Sequence, residues 1–174
     1  MTAEYKTLTF VKNVIETKFV MPPGGKLIMF GVEDGNGSIQ RLCSTWGPDR
    51  VIGYDIEKRQ HPNTRQLDLA RIGTEQACKI SFADLDVGDW HNHADLRLAL
   101  LHWCVPLMVP NGLIMTTAPL ATQSVWRERG HPWMIQRGFT CHGFDAYDHE
   151  PWHRRMTREG TWNPNATCVY RRGT

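Results

Sequence analysis

The chain lacks long apolar runs: nothing in it approaches the ~20 consecutive apolar residues that a membrane-spanning helix needs, so no membrane association is expected. It also lacks a C-x-x-C pair. Its five cysteines (Cys43, Cys78, Cys104, Cys141 and Cys168) are odd in number and widely spaced. That pattern argues against a disulfide framework or a zinc site and fits reduced, buried thiols in a cytoplasmic setting. Residues 1–19 scatter Glu4, Lys6, Lys12, Glu16 and Lys18 and offer no small-residue cleavage site, so a signal peptide is not expected. No repeat and no linker interrupts the sequence. Lysine is absent from residue 97 onward.

The 174 residues suit one domain. With 41% hydrophobic and 22% charged residues the composition is globular, which excludes a disordered or fibrous chain. The net charge of +2 hides an asymmetry. Residues 1–96 hold 11 Lys/Arg against 13 Asp/Glu, whereas residues 97–174 hold 9 Arg against 5 acids. Four of the seven tryptophans follow residue 125. Arginine and tryptophan together suit recognition of something anionic or flat, such as a nucleotide, although a solvated surface explains most arginines.

Apolar spacing through Leu8, Val11, Ile15 and Phe19 predicts a helix over residues 1–21, stopped by Pro22-Pro23-Gly24-Gly25. Leu27-Ile28-Met29-Phe30 is continuously apolar, as a strand buried on both faces of a parallel sheet should be. Helical spacing follows through Ile39, Leu42, Cys43 and Trp46, closed by Gly47-Pro48. Arg50–Asp55 reads as a second strand, Gln66–Leu69 as a third and Lys79–Asp86 as a fourth. A short helix is expected over Thr74–Cys78. Residues 92–105 read as a helix, Leu113–Thr117 as a fifth strand after Pro110-Asn111-Gly112, and residues 121–137 as another helix. Gly138–Phe144 and Thr167–Arg171 would close the sheet. This alternation predicts an α/β, Rossmann-like, doubly wound and mostly parallel seven-stranded sheet, helices on both faces and the last strand antiparallel.

The first strand-loop-helix carries the strongest local signal. Gly31, Gly35 and Gly37 permit a tight turn and close backbone approach to a ligand at a helix N-terminus. Asp55 lies 20 residues beyond Gly35, at a strand end, as an acid accepting from ribose hydroxyls should. Glu33 and Asp34 sit inside the loop, where they would repel a pyrophosphate and attract a sulfonium or ammonium group. The spacing also misses G-x-G-x-x-G. A ligand of the S-adenosylmethionine type is therefore favoured over a dinucleotide.

Phe30-Gly31-Val32-Glu33-Asp34-Gly35-Asn36-Gly37-Ser38, Val51-Ile52-Gly53-Tyr54-Asp55, and Phe82–Asp86 running into Val87-Gly88-Asp89-Trp90-His91 occur in that order, before Pro110-Asn111-Gly112. In them the chain resembles the class I S-adenosylmethionine-dependent methyltransferases, closest to small-molecule O-methyltransferases of the macrocin and cephalosporin-pathway type. The resemblance implies a single domain over 1–174, with a cofactor-binding core at 26–118 and a substrate-side helix and closing strands at 119–174. It implies that Gly31, Glu33, Gly35 and Ser38 line the methionine part, Asp55 holds the ribose, Asp68 meets the adenine amine and Asp84 lies at the mouth of strand four. Asp86, Asp89 and His91 are the candidate catalytic bases, His91 having a suitable ordinary pKa and Asp89 an alternative role as helix cap.

Strand five ends Thr116-Thr117-Ala118-Pro119 without the acids that some relatives use for Mg²⁺, so Mg²⁺ is the disfavoured alternative and no metal site is expected. His91-x-His93 lacks assignable further ligands. Trp152-His153-Arg154-Arg155 is the candidate recognition loop. No lid helices are evident, so a large acceptor or a homo-oligomer would complete the pocket. The expected acceptor is a small or nucleotide-like molecule, with nucleic acid as a less favoured partner. Two rival readings stay open: a non-catalytic protein of the same fold that holds the cofactor or a partner, and an NAD-dependent oxidoreductase.

Overall fold

The computed structural model describes residue 15 and residues 19–32, 37–85, 94–118, 126–144 and 166–174. They form a seven-stranded sheet: β1 (Lys26–Phe30), β2 (Val51–Asp55), β3 (Thr64–Gln66), β4 (Ile80–Asp84), β5 (Met108–Ala118), β6 (Phe139–Phe144) and β7 (Ala166–Arg172). Three α-helices accompany it: α1 (Ser38–Trp46), α2 (Ala94–Cys104) and α3 (His131–Gln136). The strand order is β3-β2-β1-β4-β5-β7-β6. Pairing is parallel from β3 across to β5, and β7 inserts antiparallel between β5 and β6. The expected doubly wound architecture with an antiparallel last strand is what the chain adopts.

Both sheet faces are covered. Leu27, Met29, Phe82, Leu113, Met115 and Val169 pack on one face with Ile39, Leu42 and Cys43 of α1. Ile28, Phe30, Tyr54, Ala83, Ile114 and Tyr170 pack on the other with Leu100, Leu101 and Cys104 of α2 and Met134 of α3. Alternate residues of each strand thus enter different cores, which is why β1 reads as an unbroken apolar run. Gly53, in mid-β2, is required by this packing. A Cβ there would lie 2.7 Å from both Ile39 Cδ1 and Val32 Cγ2, so any larger residue would have to displace these two side chains from the strand.

Three expected elements shift. The third strand is Thr64–Gln66, not Gln66–Leu69. It pairs on one side only, as Gly53↔Thr64 through Asp55↔Gln66, so its exposed polar residues carry no apolar signature. The helix expected at Thr74–Cys78 is instead a 3₁₀ segment at Leu69–Thr74. Asp68 sets its start by accepting from the Ala70 N–H (3.0 Å). The helix expected over 121–137 is, within the described part, a π turn at Trp126–Gly130 followed by α3. Pro132 lacks an N–H and its ring crowds the preceding turn, so a regular α-helix cannot run through it.

Inside β5, Pro110-Asn111-Gly112 forms the turn-like bulge that the sequence suggests. Asn111 is left-handed (φ 60°), and the register against β4 jumps from Ile80↔Met108 to Phe82↔Leu113. The expected helix over 1–21 lies outside the described residues except for Ile15 and residues 19–21, the latter not helical. Among the described cysteines, Cys43, Cys78, Cys104 and Cys141 are free thiols. No described helix is long and apolar enough to cross a membrane.

Candidate functional site

In a doubly wound sheet ligands bind beyond the carboxyl ends of the strands, where chain connections diverge to opposite sides. Here that place is the junction of β1 and β4, since β2 and β3 lie to one side and β5 to the other. β1 ends in Gly31, whose left-handed backbone (φ 80°) suits glycine. Its N–H donates to the Tyr54 carbonyl at 2.8 Å, which prolongs the pairing with β2 by one residue. The next N–H, of Val32, donates to Asp55 Oδ2 at 2.8 Å. Beyond it, Gly37 is left-handed (φ 68°) and starts α1, and Ser38 is buried in the first turn.

Asp55 is only 7% exposed, yet it is well satisfied. Besides the Val32 N–H, its Oδ1 accepts from the Glu57 N–H at 2.8 Å and lies 3.3 Å from Arg59 Nη2. Arg59 also pairs with Glu57 at 3.2 Å, so it bridges two carboxylates at the end of β2. Between them Ile56 is 65% exposed. Tyr54, one residue before Asp55, anchors the strand from the opposite face. It stacks on Phe30 and donates to Glu75 Oε2 at 3.2 Å, and burial together with Glu75 holds its phenol well above the ordinary tyrosine range.

Asp84 ends β4 at 1% exposure, level with Met29 of β1 and Met115 of β5. Asp55 and Asp84 stand at the ends of the two strands that flank β1, about 10 Å apart across the sheet and offset by two residues along it. Their side chains take the same face as Met29, by the alternation along each strand. Gly31 and Ser38 share that corner. Four of the expected cofactor residues are thus gathered at one sheet edge.

Asp68 is placed elsewhere. It is exposed, two residues past β3, and one carboxylate oxygen already caps the 3₁₀ segment. Glu33, Gly35, Asp86, Asp89 and His91 lie outside the described residues, as do His93 and Trp152–Arg155. No group of three or more potential metal ligands occurs among the described residues.

Two neighbours of the acid escape a motif-based reading. Arg59 stands four residues after Asp55, and Ile56 follows it directly. An isolated apolar residue inside the polar stretch 56–60 is the signal that could have flagged the second. Trp133 packs partly against the core. It stacks on His102 of α2 (4.4 Å between ring centres), with the Arg137 guanidinium 3.7 Å from its ring centre.

No family model and no curated protein matches the sequence. Solved structures do match it. An rRNA methylase from Streptococcus thermophilus superposes with a TM-score of 0.59 at 9% identity, covering 98% of this chain and 94% of that one. The two share the Rossmann-like fold. The plantazolicin methyltransferase BpumL, solved in complex with SAH, gives a TM-score of 0.52 at 7% identity over 99% of this chain and 83% of its own. A Streptococcus mutans protein, also solved in complex with SAH, gives 0.51 at 13% identity over 97% and 93%. At these identities the likeness establishes architecture, and function has to be argued from the site.

Proposed function

We propose that the chain is an S-adenosylmethionine-dependent methyltransferase that transfers a methyl group to an oxygen of a small or nucleotide-like acceptor. The observation that carries this reading is Asp55, fixed by the Val32 and Glu57 amides at the end of β2, beside the β1–β4 junction. A carboxylate offers about four lone-pair sites, and two amides and one guanidinium leave capacity for a ribose hydroxyl. The exposed Ile56 beside it supplies an apolar surface for the flat adenine ring. Gly31 lets the backbone approach the amino-acid part, which Glu33, Gly35 and Ser38 would line, and Asp84 closes the β4 side. Asp68 keeps one carboxylate oxygen beyond its capping bond and stays the candidate for the adenine amine.

When bound, S-adenosylmethionine supplies an electrophilic methyl carbon, and the acceptor oxygen displaces the thioether in line. The chain's own task is to position the acceptor and to remove its proton. That proton is assigned to one of Asp86, Asp89 and His91, directly after β4. SAH in complex with two proteins of the same fold supports the choice of ligand.

The oxidoreductase reading retains one observation: an acid at the end of β2, Asp55, can equally accept from the adenosine ribose hydroxyls of NADH. Calorimetric titration with S-adenosylhomocysteine and, in parallel, NADH separates the two. Binding of the first alone is the expected result, and binding of NADH alone overturns it. Cofactor binding with no methyl transfer in a broad acceptor screen would leave a non-catalytic protein of this fold.

A further inference from the structure

The opposite, amino edge of the sheet has a different character. Arg50 directly precedes β2, Lys26 opens β1, Lys79 directly precedes β4, and Arg171 and Arg172 end β7. Because β7 runs antiparallel, its C-terminal arginines arrive at the edge where the parallel strands begin. From β2 to β7 the row crosses four strand intervals, about 19 Å at the usual ~4.8 Å spacing. None of these five cations forms an ion pair with any described residue. Lys26 donates to the Asp49 carbonyl, Arg50 to the carbonyls of Gly25 and Pro22, and Arg172 to that of Met108, which fixes the groups in place without neutralising them.

Two recesses open along this row. One, of about 390 Å³, is walled by Lys26, Arg50 and Lys79 with Gly24, Gly25 and Cys78, and no carboxylate among the described residues lines it. The other, of about 550 Å³, is walled by Phe19, Pro22, Pro23 and His142, with Arg171 at its side. The Pro22–Gly25 turn separates them. A cationic recess next to an apolar, ring-bearing one matches the alternation of phosphate and base along a single strand. The length of the row calls for a polyanion rather than one phosphate ion.

We infer that the amino edge of the sheet is a docking face for the sugar-phosphate backbone of single-stranded nucleic acid. Successive phosphates would lie along the row, one against each cation, Lys26, Arg50 and Lys79 among them, and a base against Phe19 and the two prolines. The inference is independent of methyl transfer, since the face lies at the other end of the strands from Asp55. Charge then divides along the strand axis. Asp55 and Asp84 at the carboxyl edge suit a cationic cofactor, and the amino edge suits an anionic chain. The cations come mainly from strand starts scattered through residues 26–79, not from the arginine-rich second half alone.

The test uses fluorescence anisotropy with a labelled single-stranded RNA of about a dozen nucleotides, titrated at several salt concentrations, and the charge count sets the expectation. Five phosphate contacts give a salt exponent of about −3.5, or roughly a 100-fold loss of affinity between about 50 and about 200 mM salt. Lys79 and Arg171 are exposed, and neither side chain makes a hydrogen bond or ion pair with a described residue, so Lys79→Gln with Arg171→Gln should leave the melting temperature unchanged. That double variant should lower the exponent to about −2.1 and bind more weakly at low salt. Arg129→Gln, which touches Asp95 of α2 and not this edge, should bind RNA like the wild type. No RNA binding at low salt overturns the inference, and so does an unchanged exponent in the double variant. Binding to phosphatidylserine vesicles without binding to RNA would also overturn it, by assigning the face to a membrane surface.

Discussion

Replacing Asp55 by asparagine keeps the shape of the side chain and removes its charge. In the native protein Oδ2 accepts from Val32 and Oδ1 from Glu57, each at 2.8 Å. An amide has one oxygen, so one backbone N–H keeps an acceptor and the other faces an NH₂ group. If the buried Val32 N–H loses its partner, the cost is about 1–3 kcal/mol. For a chain of this size that lowers the melting temperature by about 2–12 °C, at ~2–4 °C per kcal/mol. The ion pair with Arg59 is largely buried, its side chains 19% and 9% exposed, so losing it adds to that cost, although Glu57 keeps Arg59 partnered. Ligand binding should suffer more. A hydrogen bond from a ribose hydroxyl to a carboxylate contributes about 1.5–3 kcal/mol, so S-adenosylhomocysteine should bind about 10- to 150-fold more weakly. Calorimetry on the folded variant, with circular dichroism to establish folding, provides the readout. A folded Asp55→Asn protein that binds the ligand with wild-type affinity would refute the role given to Asp55.

Gly53→Ala should push Ile39 and Val32 off β2, costing about 1–3 kcal/mol by denaturant titration and weakening cofactor binding through the displaced Val32 amide. Ile56→Ser should leave the melting temperature nearly unchanged, because the side chain is exposed, while reducing affinity for the adenosyl ligand in the same calorimetric assay. Tyr54 has its pKa raised by burial and by Glu75, so above about pH 10 the unfolded chain loses a proton that the folded chain keeps. Stability should therefore fall as pH rises past that point, and Tyr54→Phe should flatten the decline in melting temperature between about pH 9 and pH 11. Cys104 is fully buried with its thiol pushed up by burial, so peptide mapping after alkylation should find it modified only on global unfolding, after the half-buried Cys78.

The sheet was legible in the sequence wherever strands are buried on both faces. Leu27–Phe30 and Val51–Asp55 advertise themselves because each residue enters one core or the other. β3 stayed hidden because Thr64, Arg65 and Gln66 lie at an edge, where backbone pairing with β2 defines the strand and side chains do not. The break at Trp126–Gly130 is a local effect of Pro132 that apolar spacing over 121–137 masks. At the candidate site, the glycine and acid spacing pointed to Gly31 and Asp55, which the fold brings to the neighbouring ends of β1 and β2. It could not show that Arg59 folds back on the acid, which depends on the course of the loop after β2. The row of Lys26, Arg50 and Lys79 is invisible along the chain, since residues far apart in sequence become neighbours only through strand register.

A crystal structure of the protein with S-adenosylhomocysteine tests the central claim most directly. The account predicts the ribose hydroxyls on the Asp55 carboxylate, the adenine against Ile56 and the amino-acid tail beside Gly31. An adenosyl ligand bound away from the ends of β1, β2 and β4, or none at saturating concentration, would contradict it.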